Sequence, residues 1–158
     1  MPFFVNQSVY RFNKQIPASA TSQIPNLAPT VVKAIAIQES GAGTDPSMNG
    51  KKNIMQVNNG VSNFADYSSY KANYGLSKGT IPDPVTSINA GIKDLGTKGF
   101  KGGVGYNEKT NKMTFQFQGW DKAIQNYNGG GAGKYGQNYL QSILNMIQNS
   151  KKPNPNNY

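Results

Sequence analysis

The chain has 158 residues and a mass of 17.1 kDa, which suits one domain with a sizeable core. It contains neither cysteine nor histidine, which excludes disulfides, thiol chemistry and Ser-His-Asp or Cys-His nucleophiles, and leaves zinc binding to carboxylates alone. Sixteen basic residues against seven acidic ones give a net charge of +9, favouring polyanions as partners: nucleic acid, an anionic membrane or an acidic cell-wall polymer.

Residues 1–26 are polar, carry Pro17 and Pro25, and read as an extended N-terminal arm or linker. The opening "MPFFVNQSVYRF" has too short an apolar patch for a signal peptide, so none is expected in this chain. No run of about 18 apolar residues occurs, so no membrane span is expected. Arg11 is the sole arginine and the lysines are scattered. Base-reading proteins lean on arginine forks, so nucleic acid is not expected as a partner.

From Leu27 the apolar pattern tightens. Pro29 and Thr30 start a helix over Val31–Ser40, which Gly41 and Gly43 end. Residues 43–53 are a loop by composition, and "NIMQV" is a short apolar island after it. Val61, Phe64 and Ala65 give weak helical spacing over 61–74. Val85, Ile88, Ile92 and Leu95 predict a helix to Lys98, with Asp83 or Pro84 at its start. In 99–119, Phe115 and Phe117 alternate with polar residues and "NEKTNK" suits a turn, so a small β-hairpin is expected. "WDKAIQNY" is a short helix stopped by glycines, and Tyr139, Ile143 and Ile147 mark a final amphipathic helix. Residues 151–158 are a polar tail. The fold class is mainly α (α+β) with a minor β-hairpin, its one domain covering residues 27–150.

Glu39 stands out. Val32, Ile35, Ala36 and Glu39 lie on one helical face, and Val31, Ala34 and Ile37 opposite are also apolar, so the helix should be buried nearly all round. Desolvation and the negative end of the helix dipole would both raise the carboxyl pKa there. A neutral glutamic acid near pH 7 is a proton donor. The other reading is a glutamate bent out to water at a fraying helix end, and the segment alone leaves both open.

The order of motifs adds to this. Glu39-Ser40 closes the apolar helix, followed by "NIMQV" (53–57), "NAGIKDL" (89–95) and "IQNYNGG" (124–130). This order resembles the lytic transglycosylase and goose-type lysozyme branch of the lysozyme-like superfamily, across roughly residues 27–148. The resemblance implies a single lysozyme-like helical domain with Glu39 as catalytic acid. It further implies that Ser40 holds the sugar or the acid, and that Met55, Gln56 and Asn58 line the glycan groove. Tyr127 would orient the acid through a hydrogen bond, and Asn128 and Gly129 would shape the adjoining wall. Asn53 stands where the family usually has glycine, and asparagine tolerates left-handed backbone.

The activity so implied is that of a muramidase cutting the β-1,4 bond between N-acetylmuramic acid and N-acetylglucosamine, either by water or by the sugar's own 6-hydroxyl. Water attack needs a second carboxylate about 6.5–9.5 Å from the acid. Asp66 is the better candidate for it, since Asp45 precedes Pro46 in what reads as a structural turn. Cofactors and metals are not required. Trp120, Tyr106 or Phe100 could stack on sugars, although Trp120 also suits a core. Peptidoglycan is the expected partner, met at the cell wall by a monomer, with an inhibitor protein if the chain is an antibacterial effector. The alternative is a non-catalytic wall-binding module on the same scaffold.

Overall fold

The structure, a computed structural model, describes residues 2–16, 24–45, 52–57, 75–100, 105–107, 112–114, 117–129 and 131–150. It is mainly helical. In chain order the described elements are α1 (Pro2–Gln15), α2 (Pro29–Ser40), a 3-10 turn (Gly41–Gly43), α3 (Pro84–Lys98), β1 (Gly105–Asn107), β2 (Lys112–Thr114), α4 (Trp120–Tyr127) and α5 (Lys134–Ser150). The first helix packs on α2 and α3, α4 bridges α3 and α5, and α5 returns against α2.

The expectation of an extended arm fails for residues 2–15, which form α1. Its inward stripe is Val5, Ser8, Val9 and Phe12, at i, i+3, i+4 and i+7; the first three are buried and Phe12 packs on the core. Asn13 fastens the helix to the next segment. Its side-chain amide donates to the Leu27 carbonyl at 3.0 Å and accepts from the Leu27 N–H at 2.9 Å.

Helix α2 begins at a proline, whose missing N–H costs nothing in a first turn. It ends at Gly41, whose φ of 57° carries the chain into the left-handed region. A side chain there would also meet Thr44, since an added Cβ would lie 2.7 Å from its Oγ1. Val32, Ala34, Ile35 and Ala36 are buried, but Ile37 is 49% exposed. The helix is therefore not buried all round. Its exposed edge lies beyond the reach of α1 and α5, which cover only part of its circumference.

Helix α3 starts at Asp83, whose carboxylate accepts from the Val85 and Thr86 N–H groups at 3.0 and 3.1 Å. Ile88, Ala90, Ile92 and Leu95 are buried, whereas Val85 in the first turn is exposed. Gly91 lets the 53–57 segment approach: a Cβ there would sit 2.8 Å from the Met55 Cβ.

Strands β1 and β2 pair antiparallel with Tyr106 opposite Met113, and Phe100 bridges Phe117. The turn that the expected hairpin requires lies outside the described residues, as do the weak helix over 61–74 and the polar tail over 151–158.

Candidate functional site

The last turn of α2 is where the segments converge. Ser40 is 1% exposed. Its Oγ donates to the Ile54 carbonyl at 2.7 Å, has the Ala36 carbonyl at 3.2 Å, and accepts from the Gly43 N–H at 3.1 Å. This corrects the expectation that Ser40 contacts sugar: a hydroxyl so enclosed and so engaged holds the helix end against residues 53–57 instead.

That segment is folded around Asn53. The Asn53 Oδ1 accepts from the Val57 N–H at 3.0 Å and from the Ser87 hydroxyl at 2.9 Å, while its Nδ2 donates to the Val57 carbonyl at 3.0 Å. Ser87 Oγ in turn accepts from the Met55 N–H at 3.0 Å. The left-handed residue is Gln56, with φ 47°, and not Asn53. Asparagine is needed here for its amide. Held this way, Ile54, Met55 and Val57 all face the core.

Met55 is fully buried against Gly91, so it cannot line a groove, and the expectation of glycan contact is corrected for its side chain. Gln56 is half-buried and its Nε2 donates to the Asn53 carbonyl at 2.7 Å.

The Tyr127 hydroxyl donates to the Met55 carbonyl at 2.9 Å across the end of α4. The bond expected from Tyr127 to Glu39 is made by another residue. Tyr139, on α5, donates its hydroxyl to Glu39 Oε1 at 2.5 Å. One turn further along α5, Ser142 donates to Gln38 at 2.6 Å, so two adjacent bonds fix α5 on the end of α2.

Glu39 itself is half-buried. Burial pushes its pKa above the ordinary 4.5, and the Tyr139 bond and the charge of Lys98 act against that rise. Lys98 comes from the last turn of α3. Its ammonium donates to the Tyr127 carbonyl at 3.0 Å, lies 3.6 Å from Asp94 and sits 5.6 Å from the centroid of the Tyr127 ring. Burial, and the charges of Asp94 and Glu39, push the Tyr127 hydroxyl well above the ordinary tyrosine range. Burial and Glu39 do the same to Tyr139. Both phenols therefore stay protonated and act as donors. The arrangement can hold a proton on Glu39, release it to an acceptor, and stabilise the resulting carboxylate through Tyr139.

Of the other expected site residues, Asn128 and Gly129 are exposed at the end of α4, where Gly129 turns the chain with φ 81°. Asn58 and Asp66 lie outside the described residues. Asp45 closes the turn after α2 through its N–H, which donates to the Ser40 carbonyl at 3.1 Å. Among the described residues no cluster of acids could hold a metal.

Sequence reasoning missed Tyr139, Lys98 and Asp94. Tyr139 was hidden in an apolar stripe, where its ring is consistent with packing alone. Lys98 and Asp94 carry a signal in their i, i+4 spacing, but the pattern says nothing of which side of α3 meets Tyr127.

No family model, no curated protein and no solved structure matches this chain.

Proposed function

We propose that this chain cleaves peptidoglycan as a muramidase, on a lysozyme-like helical domain with a minor β-hairpin at its rim. One observation carries the reading: a carboxyl with a raised pKa, fixed by a tyrosine at 2.5 Å, at a helix end joined to the Met-Gln segment and Tyr127. Glu39 protonates the glycosidic oxygen as the bond breaks, and Tyr139 stabilises the carboxylate that remains. Glu39 then recovers a proton from the incoming nucleophile, either water or the muramoyl 6-hydroxyl.

The second route needs only one carboxylate. Asp94 is buried and paired with Lys98, so it offers no base. The exposed Asn128 and Gly129 form a rim for the glycan. The +9 charge draws the protein to an anionic wall, where the activity belongs.

The test is mass spectrometry of purified sacculi after digestion, with Glu39→Gln in parallel. Soluble muropeptides from the native chain and none from the variant support the reading, and anhydro or reducing ends identify the nucleophile. Sedimentation with sacculi without release of fragments would establish a binding module instead.

A further inference from the structure

Helix α3 has two working faces. Ser87, Gly91, Asp94 and Lys98 lie toward the Met55–Tyr127 side, and Asn89, Lys93 and Gly96 lie on the opposite one, with Phe100 just past the helix end. On that opposite side lie two adjoining cavities, of about 440 and 430 Å³, each within the ~300–1,000 Å³ typical of small-molecule sites. They share Phe12, Gln15 and Lys93 as a common wall.

Their linings differ in chemistry. The first is apolar and aromatic, built from Ile16, Ile24, Phe100, Phe117 and Trp120 beside the shared Phe12. The rings are locked edge to face: Phe117 lies 5.3 Å from Phe100 and 4.9 Å from Trp120, and Phe12 is 6.1 Å from Trp120. The Trp120 indole N–H donates to the Pro25 carbonyl at 2.8 Å, so the ring edge is fixed as well.

The second cavity is polar and cationic, with Arg11 and Asn89 beside the shared Lys93. Ser8 opens into it. That side chain is 8% exposed, and its hydroxyl has no hydrogen-bond partner among the described residues. The same holds for the half-buried Asn89 amide and for the Arg11 guanidinium. The buried Ser8 hydroxyl is a donor waiting for an acceptor, and the half-buried Asn89 amide and the solvent-exposed Arg11 guanidinium line the same space as further donors.

From this juxtaposition we infer that α1 and α3 form a binding site for a single-chain amphiphile with an anionic head. The chain lies among Phe12, Phe117 and Trp120, and the phosphate or carboxylate head meets Ser8, Arg11 and Asn89. The site lies on the far side of α3 from Glu39 and does not depend on the muramidase reading.

Trp120 is the only tryptophan, and it reports on the apolar cavity directly. Dodecyl phosphate, kept below its micelle concentration, is titrated into the full chain while tryptophan emission is followed. Dodecanol and inorganic phosphate are run as separate arms. A saturable blue shift with dodecyl phosphate is expected, with weaker binding of dodecanol and no shift from phosphate alone. Arg11→Gln, a surface change, should weaken dodecyl phosphate binding by about tenfold and leave dodecanol unchanged. Thr97→Phe, which fills the apolar cavity, should abolish the shift, and Glu39→Gln should leave it intact. No saturable response, equal affinity for dodecanol, the same response from phosphate alone, or a response only to micelles or vesicles would each overturn the site.

Discussion

At Glu39, burial and hydrogen bonding pull one proton in opposite directions, and burial is the stronger. The consequence for stability has a definite sign. Because the folded chain holds this proton more tightly than the unfolded one, the stabilisation is complete below pH 4.5. It is lost as pH rises through the folded pKa. Glu39→Gln removes the charge that must be buried at neutral pH. Thermal melts should therefore show the variant gaining on the native chain between pH 4.5 and 8, while its wall-clearing rate drops about 10²–10⁴-fold. Tyr139→Phe removes a donor that favours the carboxylate, so the Glu39 pKa rises further. The alkaline limb of the pH–rate profile should move to higher pH, with the rate about tenfold lower near neutrality. Tyr127→Phe acts elsewhere. It leaves the buried Met55 carbonyl without its donor and should cost about 1–3 kcal/mol of stability in a denaturant titration.

The elements were legible wherever one face is apolar and the ends are marked. Pro29 and Gly41 bound α2, and Asp83 with Pro84 starts α3. Tyr139 and Ile143 of α5 are buried as its stripe predicts. Helix α1 was illegible because its inward stripe includes Ser8, and because Asn6, Gln7 and Asn13 give the segment a linker's composition. Val5, Val9, Phe12 and Ile16 at i, i+4, i+7 and i+11 were the signal for it. At the candidate site, the partial burial and raised pKa of Glu39 were legible, as was the meeting of Ser40, residues 54–55 and Tyr127. Which hydroxyl reaches the acid was not, because two tyrosines on different helices both approach it and only packing chooses between them.

Two substitutions test these elements. Asp83→Ala should cost about 1 kcal/mol. Hydrogen bonds from Thr86 hold the Asp83 carboxyl below its ordinary 3.8, so the cap's contribution is present above that pH and fades as pH falls through the lower folded value. Gly91→Ala gains about 1 kcal/mol of helix propensity but forces a contact at 2.8 Å on Met55. The segment cannot yield, being tied by Ser87 and Tyr127, so overpacking of about 1–3 kcal/mol prevails and the melting temperature should fall.

For the molecule as a whole, the net charge of +9 makes attraction to an anionic wall long-ranged and sensitive to salt. Sedimentation with sacculi should fall steeply between 50 and 500 mM salt, as the Debye length shrinks from over ~10 Å to about 4 Å. Glu39→Gln should sediment like the native chain, since it changes one charge of many. The Glu39–Tyr139 bond spans 100 positions of sequence. During synthesis the acid therefore emerges from the ribosome long before the phenol that steadies it, and a nascent or clipped chain ending short of α5 lacks the Glu39–Tyr139 bond. Under the muramidase reading proposed above, such a chain would be inactive until the last described helix has docked.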